Sequence, residues 1–261
     1  MSKELVPGGH TTGLGATGRT DSWWVGPLLT ALGFGGFILY STFRAIYNAD
    51  YLVETAESAH LLSPFYSPLL FRDTLPSWFS PAFLILWAPA GFRTTCYYYR
   101  KAYYRAYFLD PPGCGVGEAR GKGYKGETRL FLFQNLHRYF MYLAIGFIFI
   151  LAYDAVLACI WPTEGGHEFG VSVGTLVLAA NVVMLSLYTF GCHSFRHLIG
   201  GRLDCFACTS FGKPRHKAWC GVSLLNKNHM FWAWTSLFMV GFADFYVWMV
   251  SSGRLTDYRF F

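Results

Sequence analysis

Residues 170–208 read GVSVGTLVLAANVVMLSLYTFGCHSFRHLIGGRLDCFAC, and this stretch decides the fold. As far as Cys192 it holds no Asp, Glu, Lys or Arg. An apolar run of about 20 residues is long enough to cross roughly 30 Å of hydrocarbon as a helix. The chain then turns polar at once, with His193, Arg196, His197, Arg202, Cys205 and Cys208. His193 and His197 stand four residues apart, so on a continuing helix they share a face about 6 Å apart, close enough to reach one metal. Histidine and arginine also gather at span ends simply because they meet lipid headgroups there. The rest of the chain bears on that choice.

Four further apolar runs of spanning length lie outside this one, giving five in all: about 23–47, 77–99, 137–161, 170–192 and 230–252. The fold class they define is all-α, an integral membrane bundle of five transmembrane helices. Composition agrees, with 53% apolar and only 14% charged residues against about a quarter charged in soluble proteins. Aromatic residues make up 20%, as expected where rings collect at two bilayer interfaces. GFGGF at 33–37 lets another element approach the first span closely. The loop after it carries Asp50, Glu54, Glu57, His60, Asp73 and three prolines, so it is not one regular helix. GCGVG at 113–117 follows no strand and is not a dinucleotide fingerprint.

The 21 lysines and arginines are unevenly placed: the N-terminal tail, the second-to-third connection and the fourth-to-fifth connection hold 2, 7 and 6 of them, and Arg93 and Arg138 stand at the span ends that flank the second of these. By the positive-inside rule these segments are cytoplasmic. Residues 1–22 are then expected as a flexible cytoplasmic tail without a signal peptide, and residues 253–261 as an outer tail. The positive charge is accounted for by topology, so nucleic acid is not an expected partner. Seven cysteines, mostly on the cytoplasmic side, fit reduced thiols or metal ligands better than a disulfide framework.

With that topology four helices deliver ligand-type residues to one membrane edge. Cys96 ends the second span, His137 begins the third, Cys192, His193 and His197 end the fourth, and His229 begins the fifth. Two redox chemistries suit the set. A b-type haem takes two axial histidines, whereas a Rieske-type [2Fe–2S] cluster takes two histidines on one iron and two cysteines on the other. Cys96 and Cys192 favour the cluster, although the Cys-x-His and Cys-x-x-His spacing of soluble Rieske domains is absent. Neighbouring Cys192 and His193 point about 100° apart on an unbroken helix, so both can bind only if the helix frays there. His137 with His197 is therefore the first pairing and His193 the reserve. Cys205-x-x-Cys208 resembles half of a zinc site, or is structural. Asp154 and Asp244 lie within apolar runs, where a carboxylate is costly and either functional or paired.

Five motifs resemble one family. TTCYYYRKAYYR at 94–105, QNLHRYF at 134–140, LYTFGCHSFRHLIGG at 187–201, NKNHMFWAW at 226–234 and the closing TDYRFF are similar to the five-helix, cytochrome b-like membrane anchor of a succinate dehydrogenase class found in actinobacteria. The resemblance implies a multi-pass protein of the inner (plasma) membrane, joined to a flavoprotein that oxidises succinate and to an iron–sulfur subunit. Electrons would pass to quinone within the anchor, and some members carry a Rieske-type cluster there. Cys96, His137, Cys192, His193 and His197 match the motif positions that would supply its ligands. Tyr97, Arg100, Ser194 and Trp232 are the candidate quinone contacts, able to donate hydrogen bonds or anchor the interface. A haem- or zinc-binding sensor or transporter is the alternative class, but the internal repeats and mid-membrane helix breaks of transporters are missing.

Overall fold

The computed structural model describes residues 13–54, 59–71, 74–76, 78–118, 131–163, 165–201 and 203–261, with backbone only at 131–134. Helices dominate: α1 Val25–Tyr47, α2 Ala82–Thr95, α3 Tyr97–Tyr103, α4 Phe131–Leu157, α5 Val173–Phe190, α6 His193–Gly200, α7 Gly212–Lys227 and α8 His229–Ser251. A π-helical turn, Tyr104–Phe108, follows α3 directly. The chain is not purely helical. Strands β1 Leu52–Val53 and β2 Leu61–Leu62 form one antiparallel pair, and β3 Ile160–Thr163 and β4 Gly166–Phe169 form another.

Among the described residues four helical stretches are long and apolar enough to cross a membrane: Val25–Tyr47, Asn135–Leu157, Val173–Phe190 and His229–Ser251. They overlap four of the five apolar runs read from the sequence. The remaining run holds α2, of only 14 residues, with Pro89 inside it. At about 1.5 Å per residue that helix alone is shorter than the hydrocarbon core. It stops at Thr95 because Cys96 takes an extended conformation (φ −63°, ψ 132°) before α3 begins.

The chain divides into two compact units. The first comprises Met1–Leu39 and Arg93–His137. Here Tyr107 of the π turn donates to the Ala31 carbonyl (2.7 Å), and a Cβ on Gly35 would lie 3.3 Å from the same hydroxyl, so the small residues of GFGGF admit this ring. Leu109, at φ 52°, closes the turn, and Pro111 and Pro112 prevent helix beyond it. Part of the expected flexible tail is held in place. Gly15 N–H donates to Gly117 O, Gly117 N–H to Ala16 O, and Arg19 to Cys114 O.

The second unit comprises Tyr40–Phe92 and Arg138–Phe261. Its core joins Val53 and Leu61 of the first hairpin to Ala158, Trp161, Val177, Leu178, Ala243 and Val247, with α5 packed on α8. A Ser172 capping box begins α5. The closing TDYRFF is fixed rather than loose. Asp257 accepts from Gly174 N–H (2.9 Å) and from the Tyr246 hydroxyl (2.7 Å), Phe260 N–H donates to Val171 O (2.8 Å), and Arg259 pairs with Glu168 (2.6 Å).

Candidate redox centre

Both cysteines singled out from the sequence occupy the same kind of position. Cys96 is 3% exposed and caps α3; Cys192 is 2% exposed and caps α6. In each case an apolar helix ends, the cysteine backbone is extended, and a short new helix begins. A helix start presents backbone N–H groups that can donate to a sulfur placed there. Cys192 Sγ accepts from Ser194 N–H at 3.4 Å.

The second break is built into the fold. Phe190 ends α5, Gly191 caps it, and Cys192 stands at φ −67°, ψ 143°. Asn226 Nδ2 donates to the Gly191 carbonyl (2.8 Å), satisfying a group the interrupted helix leaves open. Close contact between α6 and α7 keeps the new helix in place. A Cβ on Gly200 would lie 2.3 Å from the Trp219 ring, and Arg196 lies over that ring at 4.6 Å while donating to Ser223 Oγ (2.9 Å). The fraying that would let Cys192 and His193 both act is therefore present, and the geometric reason for holding His193 in reserve disappears.

The histidines divide between the two units. His137, in the first, is buried, and its Nδ1 lies 3.0 Å from Thr95 Oγ1. Such a partner fixes ring orientation and tautomer, as outer partners of metal-bound histidines do. In the second unit His193 and His197 are exposed on α6 with ring centroids 4.9 Å apart, as their spacing leads one to expect. Desolvation, then His197 and Arg196, holds the His193 imidazole below its usual pKa, toward the neutral form that binds metals. His229 stacks on Tyr188 at 5.0 Å. Among the described residues no three His, Cys, Asp or Glu side chains form a group that could hold a metal ion.

Two cysteines depart from the sequence reading. Cys205 and Cys208 are joined as a disulfide, with Cα atoms 5.4 Å apart, so they are not the free thiols expected. Two intervening residues bring the Cα atoms within the range a bridge requires. Cys114 and Cys220 are free and exposed, and Cys159 is half-buried.

The four candidate quinone contacts differ in setting. Tyr97 is exposed and Ser194 half-buried. Trp232 Nε1 and Arg100 Nε are buried without a hydrogen-bond partner among the described residues. Arg100, itself 4% exposed, lines a cavity of about 280 Å³ with Tyr97, Lys101, Tyr104, Arg105, Asp110, Pro111 and Glu118.

The two intramembrane carboxylates are both paired. Asp244 accepts from Arg44 Nε (2.8 Å), Tyr40 (2.5 Å) and Ser63 (2.5 Å), and Arg44 also donates to Ala49 O and Asp50 O. Asp154 accepts from Ser67. Thr95, Asn226, Asp257 and the Asp244 partners were missed in the sequence because each acts through a residue distant in the chain. Arg44, a lone cation near the end of an apolar run, was the one available signal.

Long apolar helices joined by polar connections, with buried thiols at helix breaks, define a multi-pass membrane protein. Residues 25–253 match the family described as actinobacterial succinate dehydrogenase subunit SdhC. The chain belongs to this family, whose members are membrane anchor subunits of succinate dehydrogenase. It is also similar to a chain of the Mycobacterium smegmatis Sdh1 complex in the apo form, at 40% identity, with 99% of this chain and 97% of that one covered and a TM-score of 0.85. Among curated proteins there is no match.

Proposed function

We propose that this anchor carries electrons from an iron–sulfur partner subunit to quinone through a Rieske-type [2Fe–2S] centre held by Cys96 and Cys192 with two of His137, His193 and His197. The observation that carries this reading is the matched placement of Cys96 and Cys192: both buried, both extended, both at the start of a short helix after a break. Such a centre takes its ligands two to an iron, so pairs rather than triplets are the unit. His193 with His197 is one pair that the fold holds together. When bound, the cluster supplies one-electron transfer at a potential raised by its imidazole ligands.

The protein's own groups do the rest. Thr95 orients His137, and Asn226 keeps the Gly191–Cys192 break open. Trp232 Nε1 offers a buried donor to a quinone carbonyl, with Ser194, Tyr97 and Arg100 completing the candidate set. The chain crosses the inner membrane five times with its N-terminus in the cytoplasm, the second crossing being completed by residues flanking α2. Its partners are the flavoprotein and iron–sulfur subunits.

Replacing Cys96 or Cys192 by serine tests the centre. The expected result is loss of a low-field Rieske-like electron paramagnetic resonance signal while the anchor still inserts and holds its partners. Unchanged iron content with a persistent haem absorption band would sink the proposal in favour of haem b between His137 and a histidine of α6.

A further inference from the structure

Tyr97, Arg100, Lys101, Tyr104 and Arg105 recur at intervals of three and four, the spacing of one helical face. They run through α3 into the π turn, an irregularity common at functional sites. This face, with Asp110, Pro111 and Glu118, lines an open cavity of about 280 Å³. Its lining carries five charged side chains. Arg100, Lys101 and Arg105 contribute three cations, while Asp110 and Glu118 contribute two carboxylates.

Arg100 points to the ligand. Its residue is 4% exposed, its guanidinium lies 5.8 Å from the Tyr97 ring, and its Nε has no hydrogen-bond partner among the described residues. A buried donor on a charged group is costly to leave unsatisfied. Three cations against two carboxylates leave one positive charge over. A neutral quinone head group would not match that charge, whereas a phosphodiester, with one negative charge and several acceptor oxygens, would match it and satisfy the guanidinium. The position suits a lipid. The cavity begins two residues beyond the end of the apolar helix α2, and basic pockets beside membrane helices recognise anionic headgroups. We propose that this cavity binds the phosphodiester headgroup of an anionic phospholipid. If so, the quinone donors narrow to Ser194 and Trp232.

The test uses the whole complex, with its partner subunits, as wild type and as the Lys101→Gln/Arg105→Gln double variant. Both are delipidated in mild detergent and reconstituted either in bilayers of mixed phosphatidylglycerol and phosphatidylcholine, or in phosphatidylcholine alone with added inorganic phosphate. After re-extraction, retained lipid is identified by mass spectrometry and counted as bound phosphorus. The expected result is that the wild type keeps a tightly held phosphatidylglycerol, that the variant loses it, and that neither retains inorganic phosphate. Equal phosphatidylglycerol retention in both proteins overturns the proposal, as does retention of inorganic phosphate without selectivity for the lipid. Should the double variant fail to assemble, Glu118→Gln, at an exposed side chain, must raise phosphatidylglycerol retention; no rise overturns the proposal equally. The readout is bound phosphorus rather than quinone turnover, so it stands or falls apart from the redox reading.

Discussion

Asp244 shows how one buried charge is made tolerable. Its carboxylate and the Arg44 guanidinium are both fully buried, and Tyr40 and Ser63 supply further hydrogen bonds. Removing one partner of such a pair typically costs about 3–5 kcal/mol, because the other charge is stranded, whereas replacing both by apolar groups is far milder. Asp244→Ala is therefore expected to lower the thermal stability of the detergent-solubilised complex sharply, and Arg44→Met with Asp244→Leu to recover most of the loss. Thermal unfolding of the three proteins checks this; equal melting of single and double variants would contradict it. Thr95 makes a smaller, local contribution. Thr95→Ala removes the partner of His137 Nδ1, at a cost of about 1 kcal/mol, and is expected to shift the paramagnetic resonance of the centre without abolishing insertion.

The helix breaks at Cys96 and Cys192 depend on neighbouring elements. Asn226, at the end of α7, holds the break between α5 and α6. Asn226→Leu should let the α5 backbone re-form across Gly191 and weaken the centre while the helical circular dichroism stays near wild type. Gly200 sets the approach of α6 to α7. A Cβ there meets Trp219 at 2.3 Å, and overpacking of this kind costs about 1–3 kcal/mol. Gly200→Ala is expected to destabilise, and Trp219→Leu in the same chain to relieve the loss, as measured by thermal unfolding. If Gly200→Ala alone left the melting temperature unchanged, the close contact would not be what fixes α6.

For the whole molecule, the uneven distribution of basic residues gives a direct test of orientation. A C-terminal alkaline phosphatase fusion is expected to be active and a C-terminal green fluorescent protein fusion dark. The reverse result would invert the topology. Apolar runs, basic connections and the five family motifs were legible in the sequence because each is a local property: length, hydropathy and spacing along the chain itself. For the same reason the shared face of His193 and His197 was foreseen. Tertiary structure decided what local pattern leaves undetermined. α2 stops at Thr95 and α5 at Phe190, placing both cysteines at helix starts, because a chain can interrupt a helix only where other groups take over the freed backbone, as Asn226 does for Gly191. The Cys205–Cys208 bridge, the partners of Asp154 and Asp244, and the docking of TDYRFF on the start of α5 likewise belong to the fold. Sequence shows which residues can bear charge, sulfur or hydrogen bonds; only packing decides which of them meet, since a buried polar group is stable only beside its partner.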